Sequence, residues 1–193
     1  LVEHFQQHDI DPDQSLLRLE EHHQIARMDL SLRRHPRASD LLWHGGQERA
    51  HEHSFWWVDE PTGVPCRCRP DILMWYEGQW VVVDLKSARD ASRQEFRKAI
   101  ARHGYFGQAA LYVDGVSRHV PGGVGRFIWV VCEKKPPYGV AVYEMDNEGM
   151  ERGRQYYSQA LQRWGDYLAE PDQWTGYGDG ETIETLTLPG WAG

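Results

Sequence analysis

Apolar side chains at Leu16, Leu17, Leu19, Ile25, Met28 and Leu32 recur at roughly helical spacing. They predict a helix over 13–34, capped by Asp13 and ended by His35-Pro36. A short helical turn is expected at 39–43, and Gly45-Gly46 then breaks the chain. The pattern next shortens to strand length. Residues 53–59 (HSFWWVD) are rich in aromatics, and Pro61-Thr62-Gly63 makes a turn. Residues 66–75 and 80–85 read as two more strands around a tight turn at Glu77-Gly78. Three consecutive strands with short turns predict a meander.

Helical spacing returns after Ser92, the expected cap of a helix reaching about residue 103. Gly104 interrupts it, and a second helical stretch covers 105–113. Residues 114–125 read as a Gly-rich loop in which Arg118 and His119 are either contact residues or part of a mobile connector. The run 126–133 (RFIWVVCE) predicts a strand with an apolar centre. Pro136-Pro137 turns the chain, and 140–145 returns antiparallel. The last helix is expected at 148–169, with Tyr156, Tyr157, Leu161, Trp164 and Leu168 on its apolar side. Beyond Glu170 the chain reads as an extended tail anchored by Trp174 and Trp191. Strand–helix–strand order favours an α/β fold, a mixed central sheet flanked by helices. The expected organisation is a single domain with a helical N-terminal part (1–50), a core (51–133) and a C-terminal strand, helix and tail (134–193).

The 193 residues suffice for one ordinary core, and 40% hydrophobic with 26% charged content is globular rather than disordered. No apolar run approaches the roughly 20 residues needed to span a bilayer, and the N-terminus shows no signal-peptide pattern. Three cysteines cannot all pair with one another, which favours a reducing, cytoplasmic compartment. The net charge of −8 argues against a protein that coats DNA. It does not exclude a local basic track, and Arg89, Arg93, Arg97, Lys98 and Arg102 form one against only Asp90 and Glu95. Arg93 and Arg97 share a helix face, as do Lys98 and Arg102.

The chemistry concentrates at Asp71, Asp84 and Lys86. Phosphodiester hydrolysis requires neutralised non-bridging oxygens, an activated water and a stabilised leaving oxygen. A divalent cation held by two carboxylates supplies much of this. Mg²⁺ takes hard oxygen ligands and keeps several waters, and a lysine beside it can orient the attacking water and oppose transition-state charge. Asp84 and Lys86 are two apart in VVVDLKS, so a strand points both to one side, and Asp71 on the preceding strand can face them. A lone Asp-x-Lys is usually a surface salt bridge. The apolar VVV before Asp84 changes that, because a carboxylate delivered by a buried strand needs a partner.

Pro70-Asp71 and Asp84-Leu85-Lys86 resemble the signature of the PD-(D/E)xK nuclease superfamily, and Gln108 with Tyr112 (QxxxY) resembles the RecB-like nucleases within it. With CRCRPD, DLKSARD, HGYFGQAALY and the closing ETLTLPGWA, the chain from about Glu52 onward is most similar to the RecE-type exonucleases (exonuclease VIII) of phages and prophages. The resemblance implies a restriction-endonuclease-like core of order α-β-β-β-α-β. It implies Mg²⁺- or Mn²⁺-dependent 5′–3′ digestion of linear double-stranded DNA, leaving 3′ single strands for an annealing partner of the RecT type. It also implies a ring-shaped homo-oligomer, a tetramer. Carried over by motif, Asp71 and Asp84 are metal ligands and Lys86 the catalytic lysine, with the Leu85 carbonyl as a further ligand. Glu52 matches an acidic position that binds metal directly or through water. Gln108 and Tyr112 position the DNA backbone or the lysine. Arg69, Arg89, Arg93, Arg97 and Arg102 are the expected DNA contacts. The family's upstream metal-binding histidine motif has no clear copy here, since His22, His23 and His35 lack the expected small neighbours. Either the motif lies upstream of Leu1, or this subfamily has lost or replaced that ligand, and a catalytically impaired DNA-binding or assembly domain is then the alternative. An endonuclease of the same fold is another, told apart by attack on closed circles.

Other constellations change little. His44, His51 and His53 beside Glu48 and Glu52 fit no familiar helical zinc signature, although on a strand His51 and His53 would share a face and could coordinate zinc or, more readily, stand near the nuclease metal. Cys66, Cys68 and Cys132 are one short of an iron–sulfur set and read as free thiols. Trp56, Trp57, Trp80 and Trp129 are expected to pack, whereas Trp43 and Trp75 lie near element ends where a base can stack.

Overall fold

A computed structural model describes residues 18–173, 177 and 181–188. The expectations for Asp13, Leu16, Leu17, Trp174 and Trp191 lie outside the described residues.

Helix α1 (Leu19–Arg34) buries Leu32 and stops at His35. Pro36 opens the four-residue α2 (Pro36–Ser39), where proline's missing N–H costs nothing. The His35 ring caps it, its Nδ1 accepting from the Ala38 N–H at 3.2 Å. A π-helical turn (Asp40–His44) follows. The carbonyls of Leu41 and Leu42 accept from the Arg49 guanidinium at 2.7 and 2.8 Å, which fastens this turn to the first strand.

The strands are β1 (Arg49–His51), β2 (Phe55–Val58), β3 (Pro65–Cys68), β4 (Ile72–Tyr76), β5 (Gln79–Ala88), β6 (Val124–Glu133) and β7 (Val140–Glu144). Five form one mixed sheet of order β1-β4-β5-β6-β7, in which only β5 and β6 run parallel. The parallel pair needs a crossover, and α3 (Arg93–His103) and α4 (Tyr105–Ser117) supply it. Helix α1, α2 and the π turn cover one face through Leu32, Ala38, Leu41 and Leu42. Helix α4 covers the other through Ala109, Val113 and Val116, against Val82, Phe127 and Trp129. The long α5 (Asn147–Ala169) lies outside α4. This closeness rests on Gly153, whose Cβ would fall 2.2 Å from the Phe106 carbonyl oxygen. Arg154 and Tyr157 of α5 both bind Asp114 of α4, at 3.0 and 2.8 Å.

The expected mixed sheet with helices on its faces is present, but the three-strand meander is not. The predicted strand over 66–75 is two strands. It breaks at Arg69-Pro70-Asp71, where proline cannot donate to a ladder. β3 pairs with β2 in a separate two-stranded ribbon, while β4 enters the main sheet. The place beside β4 goes instead to β1, a three-residue edge strand. The predicted loop over 114–125 shrinks to 118–123, because α4 continues to Ser117 and β6 starts at Val124. Ser117 closes that turn, donating to the Val113 carbonyl at 2.6 Å and accepting from the Val124 N–H at 2.8 Å.

Candidate active site

The sheet register puts the acidic residues in one row. Ile72 pairs with Val83, so the next antiparallel step sets Asp71 opposite Asp84. His51 pairs with Ile72, and one step on the Glu52 N–H donates to the Asp71 carbonyl at 3.0 Å. On the other side, Asp84 is the parallel partner of Trp129. Glu52, Asp71 and Asp84 thus occupy corresponding positions on three adjacent strands. Asp71 sits just past the last β4–β5 pair, and its Oδ2 accepts from the Leu85 N–H at 2.7 Å. The side chain thereby stands in for the missing ladder bond and is fixed beside Asp84.

Asp84 is the one charged residue in the buried core among the described residues, 2% exposed. Val82 precedes it on the same strand face, so the apolar run that builds β5 also carries the carboxylate into the protein. Its Oδ2 lies 2.6 Å from Lys86 Nζ, and its Oδ1 accepts from Gln108 Nε2 at 3.2 Å. Burial, the largest influence, and the nearby Asp71 push the Asp84 carboxyl above its ordinary value, although Lys86 and Gln108 pull it back. Burial thus outweighs the help that Lys86 and Gln108 give the charged form.

The residues present fit a hard divalent cation. Two facing carboxylates on a rigid sheet are the donors Mg²⁺ or Mn²⁺ takes, with water and substrate oxygens completing the shell. Among the described residues no three His, Cys, Asp or Glu side chains converge as a ligand cluster. Glu52, with φ at +49°, leaves the extended conformation and directs its carboxylate to Arg69 at 3.0 Å. Both nevertheless stay at the site's edge. Glu52, Asp71 and Leu85 line a mostly apolar cavity of about 690 Å³ together with Met28, Leu32 and Trp43.

The basic residues separate. Five positions along an α-helix turn the chain by about 140°, so the Arg93/Arg97 pair and the Lys98/Arg102 pair of α3 look in different directions. Arg89, Lys98 and Arg102 join His103 and Lys134 along a cleft of about 670 Å³ that also takes in Ser87 and Tyr105, beside Lys86, together with Asp90 and with Glu95, which pairs with Lys98 at 2.6 Å. Arg97 lines a different cleft, with Asp146, Glu148 and Arg152 around the start of α5. The basic helix is not one continuous track. Lys134 and His103 were not singled out by the sequence, because their place in the cleft depends on how α3 and the end of β6 meet.

Gln108 and Tyr112 share a face of α4, but only Gln108 reaches a motif carboxylate. The Tyr112 ring meets Phe127 at 6.4 Å in the core. Trp43 lines the apolar cavity with Arg33 stacked 4.2 Å from its ring. Trp75 packs edge-on against Trp80 at the β4–β5 turn, the end of the sheet away from Asp84. His53 and His119 flank Phe55, at 4.9 and 5.4 Å. The three cysteines are buried free thiols, and burial pushes Cys68 up to about 12.

Sequence comparison agrees with this geometry. The profile of a PDDEXK-like domain of unknown function (DUF3799) matches residues 5–180. The chain belongs to that family. Its fold is the restriction-endonuclease-like one, and PDDEXK nucleases generally use divalent metals. No curated protein matches the chain. Among solved structures, one described as a "Putative exonuclease" from Eubacterium rectale superposes with a TM-score of 0.56 at 10% identity. The overlap covers 86% of this chain and 62% of that one, a likeness of fold. A second, described as SSO0001, overlaps 70% of this chain and 58% of its own at 16% identity, with a TM-score of 0.38 too low to bear on the fold. No helix among the described residues is long and apolar enough to cross a membrane.

Proposed function

We propose that this PDDEXK-like chain is a divalent-metal-dependent DNA nuclease of the RecE type, digesting linear duplex from the 5′ end. The observation that carries the reading is the buried Asp84, set opposite Asp71, 2.6 Å from Lys86 and 3.2 Å from Gln108. A structural ion pair has no need of a second carboxylate beside it or of burial that disfavours its own charge. Metal-assisted phosphodiester hydrolysis uses such a pair of carboxylates as cation ligands.

Asp71 and Asp84 would hold the cation, which would supply charge neutralisation at the scissile phosphate and a more acidic water. The protein's own groups do the rest. Lys86 sits at the Asp84 carboxylate on a partly exposed side chain, placed to hold the attacking water and to oppose charge on the phosphoryl oxygens. Gln108 fixes the Asp84 rotamer, and the Leu85 N–H fixes Asp71. The cleft with Arg89, Arg102 and Lys134 gives a negatively charged protein a local surface for the phosphate backbone. A cytoplasmic, phage- or prophage-derived recombination role, a ring-shaped tetramer and a RecT-type annealing partner belong to the same proposal and rest on the resemblance alone.

The test is digestion of linear duplex labelled at either the 5′ or the 3′ end, with Mg²⁺, Mn²⁺ or EDTA, beside closed circles. The expected result is metal-dependent loss of the 5′ label first, with circles spared and Lys86→Ala folded but inactive. Equal attack on closed circles makes the protein an endonuclease of this fold. Duplex binding with no metal-dependent cleavage makes it a DNA-binding domain, a reading favoured by the convergence of only two carboxylates among the described residues.

A further inference from the structure

We propose that Tyr105 is a positioning residue for Lys86, its ring face setting where the catalytic ammonium stands. The proposal rests on the nuclease reading above and adds a residue to it.

The geometry is specific. Lys86 Nζ lies 4.9 Å from the centroid of the Tyr105 ring, within cation–π range. The lysine side chain is 18% exposed, so the contact is made largely out of water, where such an attraction is strongest. Tyr105 and Gln108 are three apart on α4 and share one face of it. Asp84 and Lys86 are two apart on β5 and share the facing side. One helix face therefore holds both ends of the strand motif: Gln108 the carboxylate, Tyr105 the ammonium.

The ring is itself anchored. Tyr105 stands 6.3 Å from Phe96 and 5.3 Å from His103. Phe96, 2% exposed, stacks on Tyr143 at 5.4 Å and meets Trp129 edge-on at 5.9 Å. Trp129 is the strand partner of Asp84. A closed path runs from Asp84 through Trp129, Phe96 and Tyr105 to Lys86 and back to Asp84, and each step is a contact or a strand pairing.

The chemical advantage lies in what a ring does not do. A second carboxylate would hold the ammonium by accepting one of its three N–H groups and would pull it from the substrate. A π face fixes its lateral position by charge–quadrupole attraction without accepting a further conventional hydrogen bond, so the N–H groups not taken by Asp84 can serve water and phosphoryl oxygens.

The test compares Tyr105→Phe and Tyr105→Leu in the full chain by two readouts. The first needs no activity. Lysine is labelled with ¹³C at Cε, and the Lys86 signal is identified by its absence from Lys86→Ala, since the chain has four lysines, Lys86, Lys98, Lys134 and Lys135. A ring-current shift is expected in the wild type and in Phe, and its collapse in Leu. The second readout is metal-dependent hydrolysis of linear duplex. Leu is expected to lower kcat about tenfold with little change in KM, and Phe to restore most of it. An unshifted Lys86 signal in the wild type overturns the proposal without any variant having to fold. So does a loss confined to KM, which would make Tyr105 a DNA contact, or a Phe variant as poor as Leu. A shifted signal in a wild type that cleaves nothing overturns the nuclease reading itself, and the positioning role falls with it.

Discussion

Replacing Asp84 by Asn tests whether this carboxylate is kept for a cation or for the fold. Two effects compete in the metal-free protein. The substitution removes the charge paired with Lys86 at 2.6 Å, and breaking a fully buried pair costs about 3–5 kcal/mol. Lys86 is not fully buried, however. At 18% exposure its ammonium can turn to water, and the Asn carbonyl still offers it an acceptor. Against that loss stands the removal of a charge the site disfavours, since the Asp84 carboxyl is raised above its ordinary 3.8, chiefly by burial. That direction already includes the help of Lys86 and Gln108, so the anion is a net liability to the metal-free fold. A raised carboxyl costs stability as pH climbs from 3.8 through the folded-state value, and the full cost is present above it. Asn is therefore expected to stabilise the metal-free protein at neutral pH by about 1 kcal/mol, or about 2–4 °C in Tm. Metal is expected to reverse the order. At a concentration of about 100 Kd the wild type gains about 2.7 kcal/mol, and the variant gains nothing. Thermal melts of both proteins in EDTA and across a Mg²⁺ or Mn²⁺ series should cross. An Asn variant that melts well below the wild type in EDTA, or that responds equally to metal, refutes the reasoning and makes Asp84–Lys86 a structural ion pair.

Three further outcomes follow from the same geometry. Gln108→Ala removes the 3.2 Å donor to Asp84 and should weaken metal affinity or cleavage about 10–100-fold in a folded protein; coincident metal titrations for variant and wild type would remove Gln108 from the site. Gly153→Ala gains about 1 kcal/mol of helix propensity but sets a Cβ 2.2 Å from the Phe106 carbonyl, so a net loss of about 1–2 kcal/mol is expected in denaturant melts, and an unchanged midpoint would contradict the close α4–α5 approach. Arg102→Glu should weaken duplex binding and flatten its salt dependence by about one phosphate contact, whereas Arg97→Glu, in the other cleft, should do neither; equal effects in a salt-series binding assay would restore a single basic track.

Where the chain was legible, the signal was local. Val81 to Val83 announce a buried strand, and Asp84 and Lys86 inherit a common face from its two-residue period, so the Asp–Lys pair is visible in the strand alone. The helix after Ser92 carried its cap in the sequence, and the Ser92 hydroxyl does face the Glu95 N–H at 3.5 Å. What failed was non-local. β1 is Arg-Ala-His, a polar edge strand whose pairing with β4 no periodicity encodes. The break in 66–75 was signalled by Pro70, yet the aromatic and cysteine-rich flanks read as one continuous strand. Helix α4 outran its prediction because Asp114, a poor helix former taken alone, is bound by Arg154 and Tyr157 from α5. The splitting of the basic helix was within reach, since helical geometry alone turns Lys98 about 100° away from Arg97. Tyr105 was not, because its partner depends on where α4 crosses β5.

These non-local features bear on how the site is held. Asp71 and Asp84 face each other through strand register, which a one-residue slip would destroy. Lys86 and the Asp84 rotamer are set from the other direction, by α4. Helix α4 is in turn fixed from outside: Arg154 binds Asp114 at 3.0 Å, and burial together with Asp114 keeps the Tyr157 hydroxyl protonated far above its ordinary range. None of these α5 groups touches the motif, yet they fix the helix that does. Three layers thus converge on one carboxylate: the sheet supplies its position, α4 its partners, and α5 the rigidity of α4. A buried Asp84 is costly to the fold, and a scaffold braced on both sides of α4 holds that charge in place.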